Sequence, residues 1–231
     1  MIRHAACITI VLLVLVTLPV AQGSPDISGF WELSFDSRRM PSANLAPAVT
    51  PAVLAKQAEK DAHAIRWCNF LGLPAAMDSP RPINIRQGRR EIVVNFETVA
   101  VPRHLYFRAA HPNMDIFDPT TNGDSIARWE GDTLVVDTIG FDGDKGVTMI
   151  PGGGYRTSDS HLTERYRLLN DGNVLSVTFT WEDANVFRTP HTYEFRYLRA
   201  PRLYEAQPPL ACNPFDDART TFLSQPGRSR E

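Results

Sequence analysis

The sequence predicts an all-β fold, an antiparallel up-and-down barrel of about eight to ten strands with one early helix. Short segments of alternating apolar and polar residues recur along most of the chain. They are separated by tight turns such as Glu130-Gly131-Asp132 and Asn170-Asp171-Gly172-Asn173. Sequential hairpins pair antiparallel, and closing them into a barrel removes the exposed edge strands. A two-sheet sandwich is the alternative architecture.

The elements follow in chain order. Ile27 to Phe35 is predicted to be a strand because apolar residues alternate along it. Thr50 and Pro51 are typical of an N-cap and a first helical position, which predicts a helix over 51–66. The other strands are predicted at 82–86, 91–97, 103–108, 125–141 (a hairpin), 161–169, 174–181 and 191–198. The loops Ala109–Asn122 and Asp142–Asp159 are longer than ordinary hairpin turns, and we expect them at one end of the barrel.

The first residues are typical of a secretory signal peptide. Arg3 and His4 precede an apolar run from Ile8 to Val20, which is too short to span a bilayer as a helix. Small residues precede a cleavage point near Gly23/Ser24. We therefore expect a periplasmic or secreted protein without stable membrane insertion after cleavage.

Length, charge and cysteine content fit one exported domain. The predicted division is a signal peptide at 1–23, a single β-barrel domain at 24–200 and an irregular C-terminal tail at 201–231. The net charge is −2 and no basic stripe is present, so nucleic acid is not an expected partner. Cys68 and Cys212 remain after cleavage and are predicted to form a disulfide, with two free buried thiols as the alternative. The oligomeric state stays open.

The central hairpin also carries a resemblance. The run from Ser125 to Thr138 resembles a Ser-x-Gly-x-Trp-Glu-Gly-Asp-Thr-Leu-Val-Val-Asp-Thr motif of an exported bacterial family of largely unassigned function, with Ala127 in place of the usual glycine. The other matching positions are Arg103, Tyr106, His111, Pro112, His161, Glu164, Arg165 and Cys212. The resemblance spans roughly Trp31 to Cys212 and implies a small barrel similar to the lipocalins.

No strong catalytic or metal-binding motif is present. The chain lacks a nucleophile elbow, a CxxC pair and a His-x-x-x-His pair, and Gly152-Gly153-Gly154 lacks the context of a phosphate loop. We therefore expect no cofactor and no metal site.

Two carboxylates lie among apolar residues of predicted strands. Asp137 stands between Val135 and Ile139, and Glu164 shares a strand face with Leu162 and Tyr166. A buried carboxyl group without a cation has a raised pKa and suits general acid–base chemistry. The alternative for Glu164 is a structural ion pair that closes the barrel, with Arg103 or Arg128 as its partner.

Two histidines and a tyrosine lie next to the long loops. His111 is in the first loop and His161 follows the second, and histidine suits proton transfer near neutral pH. Tyr106 either lines the lumen or faces water. We expect His111 or His161 to move a proton, Asp137 or Glu164 to orient it, and Tyr106 to donate a hydrogen bond. The residues expected to contact the substrate are Arg103, Arg128, Trp129 and Arg165.

These observations favour a cofactor-independent lyase or isomerase that acts on a small aromatic or polycyclic apolar molecule in a barrel pocket. The alternatives are a non-catalytic lipocalin-like carrier of a small hydrophobic ligand in the periplasm and a structural envelope protein. Titratable groups that converge in a pocket would favour the enzyme. A purely apolar lumen would favour the carrier, and a barrel filled by side chains would favour the structural role.

Overall fold

A computed structural model describes residues 23–66, 72–96 and 99–200. Cys68, Cys212, the C-terminal tail and all but the last residue of the predicted signal peptide lie outside the described residues. The described part forms a closed barrel of nine strands, in which each strand neighbours the next along the chain and the last pairs with the first. The predicted all-β barrel with one early helix is thus confirmed.

The element bounds are close to those predicted. The strands are β1 Gly29–Leu33, β2 Ile83–Gln87, β3 Glu91–Phe96, β4 Val99–Tyr106, β5 Asp124–Glu130, β6 Thr133–Ile139, β7 His161–Leu169, β8 Val174–Glu182 and β9 His191–Arg199. The helix α1 is Pro51–Arg66. The Thr50 hydroxyl accepts a hydrogen bond from the Val53 amide at 3.3 Å, as expected of an N-cap. Within the described residues, no helix has both the length and the apolar character needed to cross a membrane.

The prediction of a purely antiparallel barrel is wrong at one pair of strands. β4 and β5 run parallel and share only two residue pairs, Leu105 with Ser125 and Tyr106 with Ile126. All other neighbours are antiparallel, including β1 and β9, which close the barrel. Nine strands cannot alternate direction around a closed ring without at least one parallel contact. The segment 107–123 supplies that contact because it carries the chain back along the barrel before β5 begins.

The two long loops meet at one end of the barrel, as expected. The amide of Thr120 donates to the carbonyl of Gly140 at 3.3 Å, and the amide of Asp142 donates to the carbonyl of Thr120 at 2.8 Å. We call this the loop end. The turns around Gly131 and at 170–173 lie at the opposite end, the turn end, because β6 to β8 are antiparallel. The first loop reaches this end through the parallel connection between β4 and β5.

Inward-facing side chains fill the described part of the interior. Large aromatic residues from β8 and β9 pack against one another, with ring centroids 4.9 Å apart for Phe179 and Tyr193 and 5.4 Å apart for Phe179 and Phe195. The chain between β1 and β2 adds Met77, whose carbonyl accepts a hydrogen bond from the Tyr197 hydroxyl at 2.6 Å. The largest fully buried side chains include Trp31, Trp181, Tyr166, Tyr197, Phe141, Phe179, Phe195, Leu73 and Met77. The core of the barrel is therefore built from packed aromatic and aliphatic groups.

A buried ion pair joins four strands inside the barrel. Arg103 on β4 and Glu164 on β7 are 1% and 0% exposed, and Arg103 Nη1 lies 2.9 Å from Glu164 Oε1. Arg103 also donates to the hydroxyls of Ser125 on β5 and Thr138 on β6, at 3.1 and 2.9 Å. The Tyr166 hydroxyl donates to Glu164 Oε1 at 2.8 Å. Arg103 therefore bridges the contact where β4 and β5 share only two residue pairs.

The charges of this pair support each other electrostatically. Burial alone would lower the pKa of Arg103, but the Glu164 carboxylate outweighs burial and raises it. Burial and the Glu164 charge together raise the pKa of Tyr166 well above its ordinary value, so the phenol stays a donor. Glu164 thus lies in a buried ion pair with Arg103, the arrangement described by the alternative interpretation.

We predict that Arg103→Met lowers the free energy of unfolding by about 3–5 kcal/mol, because it leaves the Glu164 carboxylate buried and unpaired. The double variant Arg103→Met/Glu164→Leu should recover much of this loss, since it removes both charges. Urea unfolding monitored by circular dichroism measures the free energy of unfolding of both variants. A loss below about 1 kcal/mol in the single variant would mean that the pair does not stabilise the barrel.

Candidate functional site

The outer face of β5, β6 and β7 carries a polar cluster that begins with Asp137. Leu134, Val136 and Thr138 are buried inside the barrel, so the alternation of a strand turns Asp137 outward. Asp137 pairs with Ile126 on β5 and Thr163 on β7. It therefore lies on the outside of the barrel wall and not in the lumen.

The segment 107–123 places His111 over this face. Its inner surface packs on Gly140, where an added Cβ would lie 2.8 Å from Phe117 Cε1 and 3.3 Å from Met114 Sδ. Gly140 also has a φ of +73°, a conformation that a residue with a side chain rarely adopts. The absence of a side chain at Gly140 thus lets the segment approach β6 closely and carry His111 to Asp137.

His111, Asp137 and His161 form a continuous chain of short contacts. His111 Nε2 lies 2.8 Å from Asp137 Oδ2, and His161 Nε2 lies 2.6 Å from Asp137 Oδ1. On the other side, His111 Nδ1 lies 2.6 Å from Oδ2 of Asp124, which also binds the guanidinium of Arg108. The Asp137 carboxylate therefore contacts both imidazole rings. The Asp124 carboxylate contacts the other nitrogen of the His111 ring.

The two histidines differ in what remains available for chemistry. Both nitrogens of His111 are occupied by contacts with carboxylates, Nδ1 with Asp124 and Nε2 with Asp137. His161 makes one short carboxylate contact, through Nε2 to Asp137, and its Nδ1 faces a second carboxylate at a longer distance. Glu182 Oε2 is 3.5 Å from that nitrogen. The His161 side chain is 36% exposed and that of His111 only 14%, so His161 is the more accessible of the two rings.

The pKa of Asp137 reflects these contacts. Burial would raise the pKa of the carboxyl group, but the hydrogen bonds from His111 and His161 and the positive charge of the rings outweigh burial. The net result is a pKa below the ordinary value of 3.8. Asp137 is therefore a stable anion at neutral pH that can orient both rings.

Three of the five predicted catalytic residues come together, and two do not. His111, Asp137 and His161 form the cluster, whereas Glu164 lies inside the barrel with Arg103. Tyr106 faces outward, which was the alternative interpretation. Its ring lies 4.7 Å from the guanidinium carbon of Arg108, so Tyr106 reaches the cluster only through that arginine.

The residues predicted to contact substrate do not converge on the cluster. Arg103 lies inside the barrel in its ion pair with Glu164. Arg128 and Arg165 both bind Glu130 on the exposed outer face, at 2.8 and 3.1 Å. Trp129 lies near the turn end and packs partly against the core. Strand alternation turns Arg103 and Trp129 inward, whereas Arg128 and Arg165 share the outer face with Asp137 but lie level with Val135, two positions closer to the turn end.

Sequence reasoning missed Asp124, Arg108 and Glu182. A signal existed for Asp124, because the tight turn at Gly131 pairs Asp124 with Ile139 and so puts it on the face of Asp137. A signal also existed for Glu182, which the hairpin register places directly opposite His161. Arg108 depends on the path of the segment 107–123, for which the sequence carries no comparable pattern.

A cavity of about 430 Å³ lies at the loop end. Several of its lining residues are close in sequence to residues of the cluster. Phe141 and Asp142 line it just after β6, and Thr157 and Ser158 line it just before His161. Pro119 adds a wall from the segment that carries His111. The cavity is large enough for a small molecule.

The chain matches no protein-family model and no curated protein significantly. The resemblance of the central hairpin to an exported bacterial family therefore stays a prediction. In the described ranges, no group of three or more His, Cys, Asp or Glu side chains is arranged to hold a metal ion. The expectation that the protein uses no cofactor also stays a prediction.

We predict that Asp137→Asn destabilises the protein at neutral pH and that its difference from wild type narrows at low pH. The folded-state pKa of Asp137 lies below 3.8, so the stability due to its ionisation is present above pH 3.8 and is lost as the pH falls through the lower, folded-state value. Urea unfolding between pH 7 and pH 3 measures this difference. Asp115→Asn, on the same loop segment but outside the cluster, is the matched control. A pH-independent difference for Asp137→Asn would contradict the prediction.

Proposed function

We propose that the protein is a lyase or isomerase that transfers a proton without a cofactor. In this proposal, His161 Nδ1 accepts or returns the proton. Asp137 holds the opposite nitrogen of the ring and stabilises the imidazolium that forms. His111 contacts the other oxygen of the Asp137 carboxylate and keeps that carboxylate in place.

The arrangement of Asp137 and His161 is the observation that carries the proposal. A carboxylate 2.6 Å from one imidazole nitrogen selects the tautomer whose other nitrogen is a base, which is the arrangement found in acid–base and nucleophilic catalysis by histidine. The second support is Asp124, which holds His111 from behind and is itself almost fully buried. Five ionisable side chains lie in one chain of short contacts: Arg108, His111, Asp124, Asp137 and His161. Fewer contacts would be enough to attach a surface loop to the barrel.

The substrate that fits this proposal is a small molecule bound at the loop end. The described part of the barrel interior is occupied by aromatic side chains, so we place the reaction outside the lumen. The cavity of about 430 Å³ has the partly exposed Tyr155 in its wall, and this ring suits a substrate with an aromatic or apolar ring. Export to the periplasm or the exterior is part of the proposal and rests on the predicted signal peptide.

A non-catalytic structural protein is the second candidate. The packed interior favours it, because the side chains of the described strands occupy the space that a carried ligand would need. The same observation weighs against the lipocalin-like carrier.

Deuterium exchange tests the proposal even though the substrate is unidentified. The small-molecule fraction of an extract from the source organism is incubated with the protein in D₂O and followed by mass spectrometry. We expect wild type to add deuterium to, or to convert, at least one compound. His161→Gln should slow this reaction by about 10²- to 10⁴-fold, the range for loss of a general acid–base group.

His104→Gln is the matched control. His104 also faces outward and pairs with a carboxylate, with Nδ1 2.8 Å from Glu91 Oε2, but it lies outside the cluster. We expect it to react like wild type. The proposal is wrong if no compound exchanges or is converted, or if the His161→Gln variant reacts as fast as wild type. Either result would favour the non-catalytic structural protein.

A further inference from the structure

A groove at the turn end of the barrel carries a second site, separate from the histidine cluster. It consists of two adjoining cavities of about 650 and 540 Å³, which share Asp26 and Gln87 in their walls. We call it the basal groove. It lies between the start of β1, the β2–β3 turn and the ends of β4, β5 and β9, at the other end of the barrel from the meeting point of the long loops.

The basal groove is positively charged although the whole chain has a net charge of −2. Arg86 and Arg199 line the larger cavity and Arg89 lines the smaller one, against Asp26 as the acidic residue of both. Arg86 and Arg89 are exposed and form no ion pair with any residue that the structure describes. Four arginines on the outer faces of β5, β7 and β9 are instead paired with carboxylates: Arg128, Arg165, Arg167 and Arg196. Two guanidinium groups are therefore free to bind an anion.

Asp26 offsets only one of the three arginine charges that line the groove, which leaves a net positive charge. Its carboxylate accepts a hydrogen bond from the Ser28 amide at 2.9 Å. Hydrogen bonds from the side chain and the amide of Ser28, together with the nearby charge of Arg199, lower the pKa of Asp26. The Asp26 carboxylate is thus held in place by its hydrogen bonds with Ser28.

Local backbone geometry positions Arg199 at the groove wall. Gly29 has a φ of +138°, and an added Cβ would lie 2.7 Å from Arg199 Nη1. With no side chain there, the guanidinium donates to the Ser28 carbonyl at 3.0 Å and lies 4.2 Å from the ring centroid of Trp31. Arg199 is also exposed, but hydrogen bonds to the Gly172 and Ser28 carbonyls hold its guanidinium in place, whereas no side-chain hydrogen bond or ion pair to a described residue holds Arg86 or Arg89.

Aromatic side chains complete the walls. Phe30 lines the larger cavity, and Phe107 and Trp129 line the smaller one beside Arg89. Phe107 and Trp129 are only partly buried against the core, so part of each ring faces the groove. Planar rings next to guanidinium groups suit a ligand that is both flat and anionic.

We propose that the basal groove binds an aromatic anion, a fused-ring or phenyl compound with a carboxylate or sulfonate group. The anionic group pairs with Arg86 or Arg89, and the ring packs on Trp129 and Phe107. The loop end cannot serve the same ligand as well, because Asp137 and Glu182 flank the accessible histidine there with negative charge. The site is independent of the proposed catalytic function.

Calorimetric titration with naphthalene-2-sulfonate tests the proposal, with uncharged 2-naphthol as the comparison probe. We expect the sulfonate to bind the full-length protein and 2-naphthol to bind about fivefold more weakly, since an exposed ion pair contributes up to about 1 kcal/mol. Binding of the sulfonate should weaken as salt is raised from about 20 to about 500 mM, because the charges are exposed.

Two double variants separate the groove from the general charge of the protein. Arg86→Gln/Arg89→Gln should weaken sulfonate binding by about tenfold or more, whereas Arg165→Gln/Arg167→Gln, which removes the same charge from paired surface arginines, should leave it within about twofold. In ¹H–¹⁵N spectra, the indole N–H signal of Trp129 should shift on titration and that of the fully buried Trp181 should not. Equal weakening by both double variants, equal binding of 2-naphthol, or a Trp129 signal that does not move would each overturn the proposal.

Discussion

Arg103 holds together the one place where the barrel wall is weakly paired. A ring of nine strands requires a parallel contact, and in this chain β4 and β5 share only two residue pairs there, whereas β5 and β6 share seven. Arg103 spans the gap from inside, through hydroxyls on β5 and β6 to the Glu164 carboxylate on β7. A buried charge of this kind is tolerated only when it is fully paired, and here every nitrogen of the guanidinium donates to an oxygen.

The inner ion pair and the outer histidine cluster are built from adjacent residues of the same strands. Ser125 and Thr138 bind Arg103 inside, and their neighbours Asp124 and Asp137 bind His111 outside. Because successive side chains of a strand point to opposite faces, the two polar clusters lie on opposite faces of the same part of the barrel wall. The inner cluster fixes how β5, β6 and β7 lie beside each other, and this spacing determines how far Asp137 is from His161.

The parallel connection also creates the outer cluster. A tight turn between β4 and β5 would have continued the antiparallel order and left the outer face of β6 open to water. The longer segment instead crosses that face and brings His111 to Asp137. The same detour leaves the end of β5 with Trp129 beside the β2–β3 turn, where the basal groove forms. One departure from regular topology thus accounts for both candidate sites.

The sequence alone determined the elements, their order and their alternation, because turn residues and two-residue periodicity are local properties. The helix with its Thr50 cap, the hairpin about Gly131 and the full span of β7 could all be predicted in this way. Part of the site was also local, since hairpin register places Asp124 and Asp137 on one face. Only the tertiary structure decided which face was inside. It buried Glu164 with Arg103, turned Asp137 and Tyr106 outward and separated Trp129 from the histidines. The reason is that inside and outside are defined by barrel closure, which depends on strand number and on the path of the segment 107–123, and neither leaves a periodic signal in the chain.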